Sequence, residues 1–189
     1  MSHVSLVDRE SVDDPELEEM FAQIEQLEGS FPSHYRAELN FPEYLKAKLR
    51  ATVTLWQEGE LSMPEVQHVG IAVSQANDCK NCTGAFCTVL SDGLGVDAQY
   101  VETLLKQGSK AVDDERLRAI LDYALLVNTD PGDVTDADIQ SLRQAGLGDQ
   151  GIVQLTHLVS DFASWNRTND ALDTDYAYDQ RWLEAASLR

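Results

Sequence analysis

The stretch Ser62-Met63-Pro64-Glu65-Val66-Gln67-His68-Val69-Gly70-Ile71-Ala72-Val73-Ser74-Gln75-Ala76-Asn77-Asp78-Cys79-Lys80-Asn81-Cys82 decides how this chain is read. It opens as a capping box: Ser62 caps a helix, and Glu65 reaches back from the third helical position. The apolar run that follows is helical in character and breaks at Asn77-Asp78. The next helix starts at the cysteines. Two thiols two residues apart at the mouth of a helix suit dithiol–disulfide exchange. The helix N-terminus favours a thiolate, and the second thiol closes the disulfide.

Outward from this stretch, helical signals dominate and strand signals are almost absent. Asp13-Asp14-Pro15 reads as cap and first turn of a helix carrying Leu17, Met20, Phe21, Ile24 and Leu27, ended by Gly29. A loop through Phe31-Pro32-Ser33 follows, and Pro42 opens a helix with Leu45, Leu49 and Trp56 on its apolar side. Beyond the cysteines, a helix runs to about Ser91-Asp92-Gly93. Asp97 caps another that ends at Gly108. Leu117, Ile120, Leu121, Ala124 and Leu125 mark a helix stopped before Pro131, and Thr135 caps one that stops at Gly146. Ile152, Leu155, Val159 and Phe162 give a further helix toward Asn166, and Asp173 to Arg189 reads as a terminal helix around Trp182-Leu183. The connections are short, so residues 1–189 are expected to form one all-α domain without linker or repeat.

Composition narrows the function. The net charge is −19, from 33 acidic and 14 basic residues. With no Lys/Arg cluster, neither nucleic acid nor an anionic membrane surface is an expected partner. The acidity runs from Asp8 to Asp179 and reads as a solvated surface. Five Lys against nineteen Asp also raise adaptation to high salt as a sharper reading. No window approaches a membrane span, and Met1-Ser-His-Val-Ser lacks the order of a secretory signal, so a cytoplasmic protein is expected. Three cysteines do not make a disulfide scaffold. A structural zinc site wants four ligands, whereas this chain offers one Cys pair, Cys87 and scattered His, so no metal is expected.

The quoted stretch resembles the core of the alkylhydroperoxidase D-like (AhpD-like), or carboxymuconolactone decarboxylase, family. The capped helix start, the Ala-Val-Ser-x-Ala-Asn run and the Cys-x-x-Cys stand in the family's order. Asp130-Pro131, Val134 to Asp138, Leu142 to Leu147 and the segment Phe162-Ala163-Ser164-Trp165-Asn166-Arg167 are similar to the family's peroxidase-related branch. The likeness spans about residues 15–172.

The resemblance implies an AhpD-like helical bundle built around a helix hairpin carrying the CxxC, and a homo-oligomer, trimer or hexamer. It implies a thiol-dependent oxidoreductase that takes a hydroperoxide or other small-molecule substrate. Cys82 would attack and Cys79 resolve, with electrons from an external dithiol and no bound cofactor. Family members usually place a Glu twelve residues before the first Cys and a His four after the second, as a proton relay. Here those positions are Gln67 and Phe86. Gln cannot titrate, and Phe neither donates nor accepts a proton. General acid–base help is worth ~10²–10⁴-fold, so turnover at the family's usual rate is not expected without it. Phe86 would also make the pocket more apolar, raising the Cys82 pKa and blunting the nucleophile.

Few residues nearby offer a substitute for the relay. Glu65 is explained by its capping box. His68 lies about 100° around the helix from Gln67 and reads first as a structural histidine, second as an auxiliary. His157 reads as core or interface, and His3 and His34 give no signal. Cys87, about 140° around from Cys82, reads as a packing residue, or else as an interface contact. Two alternatives stay beside the oxidoreductase: a relay-deficient homologue retained for binding or redox sensing, and a lactone decarboxylase of the same superfamily, which does not rely on a dithiol.

Overall fold

The computed structural model describes residues 2–188, among which there is no strand. Ten α-helices follow in order: α1 (Pro15–Glu28), α2 (Ser33–Glu38), α3 (Pro42–Gln57), α4 (Met63–Ala76), α5 (Lys80–Thr88), α6 (Ala98–Gln107), α7 (Glu115–Thr129), α8 (Asp136–Gln144), α9 (Asp149–Ala171) and α10 (Gln180–Ala186). Their starts follow the side chains that cap them. Asp14 accepts from the backbone N–H groups of Glu16 and Leu17. Ser62 and Glu65 form the expected reciprocal box, and Thr135 with Asp138 forms another.

Helix α4 is the axis of the molecule. Val66, Val69, Ile71 and Val73 are buried, and so are Gln67, His68 and Ser74, far more than one apolar stripe. It packs against α5, α7 and α9. The buried apolar side chains of all these helices join into one core, with Phe21, Leu45, Ile120, Leu155, Phe162 and Trp182 among the most enclosed. No helix among the described residues is long and apolar enough to cross a membrane.

The connection between α4 and α5 is set by how α4 stops. Asp78 sits in the left-handed region at φ 58°. Its N–H donates to Gln75 O at 3.1 Å, and the Cys79 N–H donates to Ser74 O at 2.9 Å. This pairing is a Schellman stop with Asp where Gly is usual, which a short polar side chain tolerates. Cys79 thus ends one helix and caps the next. Helix α5 then widens into a π-turn over Val89–Gly93, with Leu94 N–H bonded to Val89 O at 2.9 Å. Helix α1 lies against that turn.

Three sequence expectations need correction. The segment after Phe31 is not all loop, because Pro32 caps the short helix α2. Helix α9 continues past Asn166 to Ala171, where Asp173 at φ 47° makes another left-handed stop. The terminal helix spans only Gln180–Ala186, because residues 174–179 run as non-helical chain over α5. Asn81 Nδ2 donates to both Thr174 O and Thr174 Oγ1, at 2.8 and 2.9 Å. A Cβ on Gly84 would come within 2.8 Å of Tyr176 and 2.9 Å of Tyr178, so glycine there lets the tyrosines lie on the helix. Met1 and Arg189, the two ends of the expected domain, lie outside the described residues.

Candidate active site

Cys79 and Cys82 are free thiols, both buried, and Cys82 lines a cavity whose wall does not include Cys79. That cavity has a volume of about 110 Å³. Its walls are mainly aromatic and aliphatic: Tyr35, Trp56, Phe86, Phe162 and Trp165 all line it. Cys79, Cys87, Gln67 and His68 do not.

The sulfur of Cys82 sits in a polar seat beneath this apolar space. Asn169 Nδ2 donates to Cys82 Sγ at 3.0 Å. Asn166, one turn earlier on α9, donates to Ser74 Oγ at 3.0 Å and accepts from Asn77 Nδ2 at 2.9 Å, which holds its amide in place. The hydrogen bond from the Cys79 thiol acts most strongly on Cys82, and the two asparagine amides add to it, so the Cys82 pKa is lowered although burial works to raise it. Its place in the first turn of α5 acts in the same direction. Phe86 lines the cavity and burial pushes the Cys82 pKa up, as the apolar position leads one to expect, but the hydrogen bonds outweigh it and the net direction is down. Cys79 shifts the opposite way: its bond to Cys82 and its burial both push it up, and the nearby Asp170 charge adds to this. The pair is therefore asymmetric, with the lower-pKa sulfur on the cavity side.

The substituted relay positions are both buried. Gln67 is fully enclosed, its Nε2 donates to Met63 Sδ at 3.4 Å, and its Oε1 has no hydrogen-bond partner among the described residues. Phe86 packs against Phe162 with ring centroids 4.6 Å apart. It also presses on α4, where a Cβ on Gly70 would come within 2.4 Å of its ring. His68 is spent on structure: Nδ1 lies 2.7 Å from Pro64 O and Nε2 3.0 Å from Tyr100 Oη. Burial raises the pKa of Cys87, which lies in the core. Glu65 bonds to Ser62 and to Arg116 Nε.

No motif in the sequence points to the opposite wall. His34, read as uninformative, sits buried in α2 on the cavity lining, where burial and the Lys48 charge push its pKa down to about 3. Glu28, the last residue of α1, accepts from Tyr35 Oη at 2.9 Å and from Tyr178 Oη. Burial of its carboxyl raises its pKa to about 7, against the pull of both phenols. Lys48 stands with Nζ 3.7 Å from the Trp165 ring centroid and donates to Ser164 Oγ at 3.2 Å. Two of these residues had a readable signal. Glu28 continues the buried stripe Leu17, Phe21, Ile24 by one more turn, and Lys48 lies beside buried Leu45 and Leu49. A charge on an apolar helix face is the pattern to look for. Asn166 and Asn169 show the same signal more weakly, as polar residues three apart on a buried face of α9.

No protein-family model matches the chain, and no curated protein matches it. Solved structures do. The chain is similar to a cysteine-to-alanine variant of the debrominase Bmp8 in complex with 2,3,4-tribromopyrrole, at 18% identity and a TM-score of 0.80 over 99% of this chain and 98% of that one. It is similar to an uncharacterized peroxidase-related protein from Silicibacter sp. TM1040, at 23% identity and a TM-score of 0.78 over 100% and 98% of the two chains. It is similar to an uncharacterized peroxidase-related protein with an alkylhydroperoxidase AhpD core from Ralstonia eutropha JMP134, at 22% identity and a TM-score of 0.78 over 100% and 98%. Near full-length agreement on both sides, over a structure that is helical throughout, gives the chain the AhpD-like fold of the peroxidase-related proteins.

Proposed function

We propose that this protein is a thiol-dependent oxidoreductase that reduces hydroperoxides through a Cys79/Cys82 dithiol–disulfide cycle. The observation that carries the reading is the asymmetry of the pair: the lower-pKa sulfur, Cys82, forms part of the cavity wall, and Cys79 stands behind it. Substrate entering the cavity meets Cys82, and Cys79 is placed to close the disulfide. An external dithiol returns the electrons, which suits a reducing compartment such as the cytoplasm. A homo-oligomer belongs to the same reading by its likeness to AhpD-like proteins.

The test is the free-thiol count and mass of the purified protein before and after one equivalent of cumene hydroperoxide, with Cys82→Ser alongside. The expected result is rapid loss of two thiols and two hydrogens in the wild type and no disulfide in the variant. Three unreacted thiols would overturn the reading in favour of a binding homologue.

A second reading draws on the aromatic walls. A cavity framed by Tyr35, Trp56, Phe86, Phe162 and Trp165 suits a flat ring. The likeness to a debrominase then points to reductive dehalogenation, in which two thiols and an aryl bromide give a disulfide, the arene and hydrogen bromide. Bromide release from 2,3,4-tribromopyrrole, with no thiol loss to hydroperoxide, would favour it.

A further inference from the structure

We infer that Glu28, with Tyr35 and Tyr178 bonded to its two carboxylate oxygens, is the proton relay for Cys82 that the cysteine motif itself lacks. The inference rests on the oxidoreductase reading above and adds to it the group that moves the proton. Glu28 and Cys82 line the same cavity from opposite elements, the end of α1 and the first turn of α5. The π-turn after α5 is what α1 packs on, so the geometry of α5 brings the two walls together. Both phenols lie close enough to Cys82 for its charge to act on them. One comes from α2, the other from the non-helical segment that crosses α5.

Peroxide reduction needs one proton to leave sulfur and one to arrive at oxygen. The step starts with Cys82 as the thiolate and Glu28 as the carboxylic acid, which holds the proton for oxygen. The thiolate attacks the outer oxygen of the hydroperoxide; an S–O bond forms and the O–O bond breaks. Sulfur is oxidised by two electrons to the sulfenic acid. The departing alkoxide takes the proton from Glu28 and leaves as the alcohol. Cys79 then displaces hydroxide from the sulfenic acid, an S–S bond replaces the S–O bond, and the Cys79 proton leaves with the hydroxide as water. The external dithiol returns two electrons and two protons. A carboxyl with a pKa of about 7 is both donor and acceptor at neutral pH.

His34 and Tyr35 from α2 and Cys82 from α5 line the same cavity, and Lys48 from α3, Asp161 from α9 and Tyr178 lie close enough for charge effects to pass between them and these groups. Glu38 sits close enough to Lys48 to act on its charge. The assignment therefore rests on which variant removes the pH response.

The experiment compares two reactions of Cys82 in one protein preparation. Single-turnover oxidation by cumene hydroperoxide needs a proton for the leaving alkoxide. Alkylation by iodoacetamide expels iodide and needs none. Both are followed from pH 5 to pH 9 in wild type, Glu28→Gln and Tyr178→Phe. In wild type, oxidation is expected to fall on the alkaline side as Glu28 ionises. Glu28→Gln is expected to lose that limb and to slow oxidation by ~10²-fold, the lower end for general acid–base catalysis, while alkylation stays close to wild type. Tyr178→Phe removes a bond that stabilises the carboxylate, so it should move the limb to higher pH; this variant keeps the test alive if Glu28→Gln does not fold. Equal oxidation rates in wild type and Glu28→Gln would overturn the relay and leave the oxidoreductase reading standing. A parallel fall in oxidation and alkylation would overturn it too, reducing Glu28 to a structural role. A wild type inert to hydroperoxide would overturn the oxidoreductase reading, and the relay with it.

Discussion

Replacing Asn169 by Ala removes the amide that donates to Cys82 Sγ at 3.0 Å and leaves the backbone of α9 intact. A hydrogen bond to a charged acceptor is worth roughly 1.5–3 kcal/mol, and it acts on the thiolate far more than on the thiol. Since tenfold in an acid dissociation constant corresponds to about 1.36 kcal/mol, its loss should raise the Cys82 pKa by roughly one to two. Diffuse charge on sulfur favours the lower figure. The Cys79 thiol and the Asn166 amide still act on Cys82, so the thiol should stay titratable. The assay is the pH dependence of iodoacetamide alkylation, read by mass spectrometry on the peptide containing Cys82. Below the inflection, the rate should drop in proportion to the thiolate fraction, by about tenfold for each whole-number rise in the pKa. Thermal unfolding of the variant guards against a simple loss of structure. An inflection at the wild-type pH, in a variant that still unfolds cooperatively, would refute the claim that α9 holds the thiolate.

Two further predictions concern the frame around the site. Gly70→Ala puts a methyl group within 2.4 Å of the Phe86 ring. Overpacking costs about 1–3 kcal/mol, and the gain in helix propensity returns at most ~1 kcal/mol. Urea unfolding should therefore show a net loss, which Phe86→Leu in the same chain should relieve; a more stable single variant would contradict the packing described. Arg116 ties Glu65 to the end of α8 through bonds to Glu65 Oε1 at 2.7 Å and Ala145 O at 2.9 Å. Burial works to raise the Glu65 pKa, but the Arg116 and Ser62 bonds hold it below its ordinary 4.5. A carboxyl held low in the fold contributes fully above its unfolded pKa and loses that contribution as the pH falls through the folded value. Wild type should thus lose stability below about pH 4.5 more steeply than Arg116→Ala, and parallel acid unfolding curves would show that the pair does not act this way.

Much of the fold was legible because local chemistry decides it. Asp14-Pro15, Ser62 with Glu65, Asp97 and Thr135 start helices where their spacing predicts them, each by a bond to a free N–H. The Cys pair was legible for the same reason, since Asn77-Asp78 stops α4 within a few bonds. What escaped was decided at long range. Residues 174–179 are held out of a helix by the bonds to Asn81 and by the space above Gly84. Glu28 pairs with Tyr178 across 150 positions, and Asn169 meets Cys82 across 87. Neither distance leaves a trace in local spacing; only the charge on an apolar stripe does.

The segment over α5 would also set a condition on how the proposed cycle restarts. Cys79 is 0% and Cys82 6% exposed, so in the proposed cycle a dithiol carried by another protein would need a local opening to reach an S–S bond between them. A small oxidant would meet Cys82 on the cavity wall, so the two half-cycles would use different doors. In the proposed cycle, oxidation would run at the speed of diffusion and chemistry, whereas reduction would wait on a local opening that lifts the chain held by the Asn81–Thr174 bonds and the tyrosines beside Gly84. A small reductant should then outpace a protein one of equal potential, and the protein should accumulate in its oxidised form when peroxide arrives faster than the chain can lift.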